Sequence, residues 1–276
     1  MLDRTKQLTG LAAIIAVLAS AACMPPATKY RRTTLTPSAL GAVGHQPLQP
    51  GQSDLAGSVS NIDVVTGQVT SVGDPALHVA ELNAVAHWRY GLSDVLSLGV
   101  QGQFAHAKYS AISTRGTPPL KDQAAWGYGP NFGVHLGDHD GLSINTSLAL
   151  TWFNSPWTEW KIVDDNGERP QYTLARSDRE IHLLYRAQIV PHWQINETFG
   201  IFSGVSIQNG LSNRGFDDMP AQGSTVEASN DSLNSFVGFT VRAPNGMYVQ
   251  AQGLISNDEI THTPLLGGQL TLGFQR

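Results

Sequence analysis

From about Gln52 to the C-terminus, apolar and polar residues alternate one by one. Leu96, Leu98, Val100 and Phe104 share one face of a segment, and Ser97, Gly99, Gln101 and Gln103 share the other. Leu266, Leu270, Leu272 and Phe274 oppose Gly267, Gln269, Thr271, Gly273 and Gln275 in the same way. Period two is the signature of a strand with two unlike faces, and no segment keeps a helical period over three turns. The pattern predicts ten strands: 52–62, 77–90, 95–108, 125–137, 142–153, 180–194, 199–209, 232–243, 247–256 and 264–275. Their connections alternate in length. Gly91–Asp94, Asp138–Gly141, Asn196–Thr198 and Pro244–Gly246 are short and rich in turn residues. The others, at 63–76, 109–124, 154–179, 210–231 and 257–263, are longer. Short turns at one end and long loops at the other is the asymmetry of a membrane-crossing barrel. The expected fold is all-β: a single antiparallel transmembrane β-barrel of about ten strands (eight to twelve) over 52–276. Its turns would be periplasmic and its long loops outermost.

Composition supports this reading. Only 14% of residues are charged, against the usual ~25%. The polar faces carry Gly, Ser, Asn, Gln and Thr, small neutral groups that suit a narrow hydrated lumen. A soluble, lipid-tethered β-sandwich binding module is the alternative, but its outer faces would be rich in charge. The net charge of −5 and the absence of a basic patch argue against a nucleic-acid partner.

The aromatics fall into two groups along the strands. Trp88, Tyr90, Trp193, Tyr248 and Phe274 lie at short-turn ends, and Trp126, Tyr128 and Trp152 at long-loop ends. Two bands separated by aliphatics are what the two membrane interfaces require.

The N-terminus reads as an address. Arg4 and Lys6 precede an apolar run from Leu8 to Leu18, and Ser20-Ala21-Ala22 supplies small residues for cleavage. That is a signal peptide over 1–22, too short for a membrane span of about 20 apolar residues. Cys23, the single cysteine, stands at the cleavage point, where lipoproteins are acylated. Residues 23–51 contain five prolines and no apolar period, so they are expected to form an acylated N-terminus and a flexible, extended linker.

Two stretches carry a family resemblance. Tyr90-Gly91-Leu92-Ser93-Asp94-Val95-Leu96-Ser97-Leu98-Gly99-Val100 resembles the hairpin of bacterial porin-like outer-membrane barrels, in which a Tyr-Gly-Leu turn leads into an alternating strand. The C-terminal Leu270-Thr271-Leu272-Gly273-Phe274 is similar to the signal that the barrel-assembly machinery reads, although Gln275 and Arg276 follow the aromatic. The resemblance implies an outer-membrane location in a Gram-negative-type cell. It also implies outer-membrane lipids and the barrel-assembly and lipoprotein export machinery as partners. It names no substrate.

Few residues suggest chemistry. Glu81, Arg89, Arg186 and Arg242 sit on polar strand faces. They are candidate lumen charges, either as an ion-selecting constriction or as an internal salt-bridge plug in which Glu81 meets Arg186 or Arg242. The nine histidines lack metal-ligand spacing. Asp258, Glu259 and His262 are the nearest approach to a hydrolytic group at a rim, without any motif to support it. No catalytic residue, metal or cofactor is expected. The expected function is porin-like passage of small solutes or ions, with a closed structural or adhesive, partner-binding barrel as the alternative.

Overall fold

An alternating strand has an apolar face to cover and main-chain groups to pair, and a closed sheet meets both needs without leaving an edge. The computed structural model describes residues 29–34, 40–66, 77–111, 123–138, 141–164, 171–209, 213–214, 217–218, 227–228, 232–257 and 264–276. The long strands are β2 (Ser53–Thr66), β3 (Leu77–Gly91), β4 (Leu96–Ala111), β5 (Gln123–Gly137), β6 (Leu142–Asp164), β7 (Gln171–Gln194), β8 (Phe199–Gln208), β12 (Ser232–Arg242), β13 (Met247–Asn257) and β14 (Pro264–Gln275). Four short pieces accompany them: β1 (Lys29–Thr34), β9 (Asn213–Arg214), β10 (Asp217–Asp218) and β11 (Glu227–Ala228). There is no helix among the described residues.

All ten long strands pair antiparallel in the order β6-β5-β4-β3-β2-β14-β13-β12-β8-β7, and β7 pairs back onto β6. The ring is therefore closed, as the alternation predicts, and the sandwich alternative is excluded. The seam joins the first and last long strands, with Asp54 opposite Gln275 and Ile62 opposite Gly267. Beyond it, Ser53 N donates to Arg276 O at 2.7 Å and Arg276 N to Ser53 O at 2.9 Å.

The two faces are inverted relative to a soluble protein. Leu270 is 58% exposed while its neighbour Gln269 is 3% exposed. Leu55, Val100, Leu148, Ile189, Val205, Val237 and Ile255 likewise point outward, and Asn83, Gln101, Asn131, Thr151, Gln188, Thr240 and Gln250 are buried inside. An apolar belt this continuous is the surface of a protein solvated by lipid.

The short turns are held by local bonds. Ser93 Oγ accepts from Leu96 N at 3.0 Å, and Asn196 Oδ1 from Phe199 N at 2.8 Å. Gly246 closes the β12–β13 turn at φ +88°, and a Cβ there would lie 2.2 Å from Gln275 O. One connection departs from expectation. Much of 154–179, predicted as a single long loop, is strand: β6 runs to Asp164 and β7 begins at Gln171, with bulges near Glu159 and Ile162. This hairpin continues past the start of β5 at Gln123, so one edge of β6 loses its partner. β1 fills that edge, pairing Thr34 with Trp157 and Tyr30 with Lys161.

The Gly246→Val variant should fold less stably by more than about 1 kcal/mol, because the left-handed conformation and the approach of Gln275 O both exclude a branched side chain. A lower temperature for the mobility shift between folded and boiled protein in detergent gels would show it; an unchanged temperature would not fit.

Candidate functional site

The lumen is occupied by the chain itself. Residues 40–48, Leu-Gly-Ala-Val-Gly-His-Gln-Pro-Leu, lie inside the barrel, with Ala42 and Val43 fully buried. The expectation of an extended, solvated linker over 23–51 is corrected for these residues. Ten strands leave a lumen little wider than side chains can fill. Here a peptide segment fills it, bent at Gly44, whose φ is +62°. Next to the segment, a space of about 10 Å³ remains, lined by His45, Arg89, Ser97, His135 and Gln188, which is room for roughly one water.

The wall reads the segment mainly through its main chain. Gln252 Oε1 accepts from Ala42 N at 2.9 Å, and Gln252 Nε2 donates to Ala42 O at 3.1 Å. Gln188 makes the same two-pronged pairing with Val43 N and O, at 3.2 and 2.6 Å. Gln269 spans Gly41 N at 3.0 Å and Ala42 O at 3.1 Å. A carboxamide presents one donor and one acceptor side by side, so each glutamine acts as a piece of neighbouring strand. Ser206 Oγ donates to Leu40 O. Lower down, Arg89 Nη2 donates to Gln46 O at 2.9 Å, Arg242 to Gln46 Oε1, and Gln275 Nε2 to Pro47 O at 2.7 Å.

An apolar patch completes the fit. Val190, Phe202, Phe236 and Leu254 gather around Ala42, and Val85 meets Leu40 and Val43. The His45 ring lies 4.4 Å from that of Phe202, centroid to centroid. Small residues are required along the segment. A Cβ at Gly41 would come within 2.5 Å of Leu254, and Gly44 combines φ +62° with an approach of 2.9 Å to Arg89.

The segment has a direction. Leu40 sits beside Ser206, near the long-loop end of β8, while Gln46 and Pro47 meet Arg89, Arg242 and Gln275 at the short-turn end. Gln49 to Gln52 then lead directly into β2.

At that short-turn end, Asp54 collects four donors. Arg89 Nη2 lies at 2.7 Å and Nε at 3.3 Å, Tyr248 Oη at 2.7 Å and His87 Nε2 at 3.1 Å. Asp54 is fully buried and is the only buried acid among the described residues. Tyr248 reaches it from β13 across β14, and the space it crosses is that of Gly273, where a Cβ would lie 2.2 Å from the Tyr248 ring. Tyr248 was expected at the membrane interface. It is buried inside because its strand parity is that of Gln250 and Gln252, and its hydroxyl serves the carboxylate.

The other expected charges are dispersed. Arg89 and Arg186 face the lumen; Arg186 Nη2 donates to Gln101 Oε1 at 2.7 Å, and Gln101 Nε2 to Thr151 Oγ1 at 2.9 Å. Arg242 is half-buried and meets the segment. The side chain of Glu81 lies outside the described residues, as do Cys23, Asp258, Glu259 and His262. Trp88, Tyr90, Trp126, Tyr128, Trp152, Trp193 and Phe274 point outward, with Trp88 stacked on Tyr90.

Sequence reasoning missed Asp54 and the segment. Asp54 was legible as the one acid on the polar face of its strand. The segment left a weaker trace: Leu40-Gly-Ala-Val-Gly is small and apolar inside a stretch that otherwise reads as a linker.

A closed ten-stranded ring with an apolar outside and a polar inside defines the class: this is the fold of bacterial outer-membrane β-barrels. No protein-family model and no curated relative matches the sequence. Solved structures do align over most of the chain. The translocator domain of the autotransporter NalP from Neisseria meningitidis is 11% identical, with 84% of this chain and 90% of that chain covered and a TM-score of 0.48. The COG4313 outer membrane channel from Pseudomonas putida F1 is 13% identical, with 86% and 99% covered and a TM-score of 0.49. The transport unit of the autotransporter AIDA-I from Escherichia coli is 10% identical, with 84% and 92% covered and a TM-score of 0.41. At these values the likeness adds nothing to what the strand pairing establishes.

Replacing Asp54 with Ala should cost about 3–5 kcal/mol, since it leaves the Arg89 guanidinium buried without its counter-charge. Denaturant titration of the detergent-solubilised barrel measures this, and a loss below 1 kcal/mol would mean that the pair behaves as an exposed one. Gly273→Leu should reproduce part of the loss by blocking the path of Tyr248.

Proposed function

We propose that the protein is an outer-membrane barrel that passes small polar solutes or ions when residues 40–48 leave the lumen, and is shut while they occupy it. One observation carries the reading. On the β3–β5 side of the lumen, both polar atoms of Asn83, both of Asn131 and Nε2 of Gln103 are buried with no protein partner. Buried polar groups in folded proteins are satisfied by protein or by water, so these are the atoms that water or a polar solute would pair with once the segment left. Arg186 adds a cationic group whose Nη1 has no protein partner, which favours anions in a passage this narrow. Outer-membrane lipids and the assembly and lipoprotein export machinery are the partners this reading implies. Acylation of Cys23 is part of it, and the mass of the mature N-terminus tests that point.

The competing reading is a permanently closed barrel that uses its long loops for adhesion or partner binding. The density of bonds between wall and segment favours it. Conductance in a planar bilayer separates the two. The native protein should be closed for most of the recording. Removal of 40–48 should open it, and so should Gly41→Trp, whose side chain has no space beside Leu254. Arg186→Gln in either open variant should reduce anion preference. If both variants show the heat-sensitive gel mobility of a folded barrel and neither conducts, passage is overturned and the closed barrel stands.

A further inference from the structure

The segment in the lumen rises from the short-turn end toward the long-loop end, and its direction decides where the chain before it must lie. Three observations fix that direction. Leu40 is held near the long-loop end by Ser206, and Gln46 and Pro47 at the short-turn end by Arg89, Arg242 and Gln275. β1 pairs with Trp157–Lys161 of β6, on the part of the β6–β7 hairpin that rises beyond the start of β5 on the long-loop side. β1 also pairs Lys29 with Asp218 and Tyr30 with Asp217 of β10, in the long connection between β8 and β12.

Thr34 and Leu40 are six steps apart, so an extended chain joins them across no more than about 20 Å. β1 stands on the raised hairpin, so the chain between it and Leu40 joins the lumen to the long-loop side and not to the short turns. β1 is also too well placed to be incidental. It covers the edge of β6 that β5 leaves open, the kind of edge that proteins protect.

We propose that the barrel displays its N-terminal segment, with β1 as its described part, on the long-loop side of the membrane, and that residues 40–48 are the stretch of its tether held in the lumen. This rests on the outer-membrane reading, under which the long loops face outward and the displayed segment is at the cell surface. The barrel is then a carrier for its own N-terminus, with β1 docked on the raised hairpin as its first exposed element.

The test uses the full chain with an epitope inserted at one of three places: between Ala27 and Thr28, between Asn166 and Gly167, or between Ser93 and Asp94. Antibody binding is compared in intact and permeabilised cells, for barrels that keep their heat-sensitive gel mobility. The first two tags should bind in intact cells, and the third only after permeabilisation. An N-terminal tag that follows the short-turn tag rather than the loop tag overturns the threading, whichever side the loops face. If all three stay silent until permeabilisation, the outer-membrane reading fails and surface display fails with it. Shaving intact cells with protease should release the N-terminal tag and leave the barrel, whereas a tag protected from protease would count against the proposal.

Discussion

A polar lumen sealed from bulk water must find partners for its own donors and acceptors, and most of this structure follows from how it does so. A ten-stranded ring turns one face of each strand inward, into a space too narrow for free solvent. Filling it with apolar side chains would make both faces of each strand apolar and abolish the alternation that sets the register. The alternative used here is a peptide, whose N–H and C=O groups are the natural complement of carboxamides. Gln188, Gln252 and Gln269 approach from β7, β13 and β14 and treat Ala42 and Val43 as the next strand of a sheet. Such recognition needs an extended backbone and small side chains. It places little demand on sequence beyond that, which is why the segment resembles a linker.

The ion pair at the short-turn end has a different role. Asp54 stands on β2 at the seam where the first and last long strands meet. Its donors come from both sides of that seam, Arg89 and His87 from β3 and Tyr248 from β13. The carboxylate therefore ties three strands across the closure, and through Arg89 it also holds Gln46 O. Closure of the ring and seating of the thread share one buried charge. An uncompensated charge at this place is costly, so a barrel closed in the wrong register would also lose its hold on the segment.

The strands were legible because burial acts on alternate residues and the sequence records it directly. The ten predicted segments match the ten long strands, with the largest departure on the β6–β7 hairpin. There, Pro156 and the charged residues Glu159, Lys161 and Asp164 read as loop. They extend as strand because β1 covers the edge they expose, a long-range pairing that local pattern cannot register. Tyr248 shows a second limit. Position along a strand suggested an interface, whereas parity, shared with Gln250 and Gln252, places it inside. The thread was illegible for a deeper reason. Its residues are fixed by what surrounds them, through main-chain bonds that any small residue would make, so periodicity carries no mark of it. Beside the small apolar run from Leu40 to Gly44, the surplus of inward glutamines is the sign in the sequence that something amide-like had to meet them.

Tethering explains how a thread with such permissive contacts can remain in place. Only Gln49 to Gln52 separate Leu48 from the start of β2, so the segment is presented to the lumen at an effective concentration of the order expected for a short linker, in the millimolar range. Individually weak bonds suffice under that condition. The exit is also constrained: Gly51 N donates to Gly91 O and Gly91 N to Gln52 O, both at 2.9 Å, and a Cβ at Gly91 would lie 2.2 Å from Gln49 O. The short-turn end is thus a fixed hinge, and the long-loop end, where Leu40 is held by one serine and an apolar contact, is the looser one. Withdrawal of the thread would begin there, on the side where β1 docks. Release of β1 from its hairpin frees the loose end and leaves the Asp54 cluster and the seam intact, whereas an outward pull on the N-terminus would only draw the thread taut against its fixed end. Opening the lumen breaks the carboxamide pairings of Gln188, Gln252 and Gln269 and the hold of Arg89 on Gln46 O, whereas unfolding the barrel also breaks the seam and the bonds to Asp54.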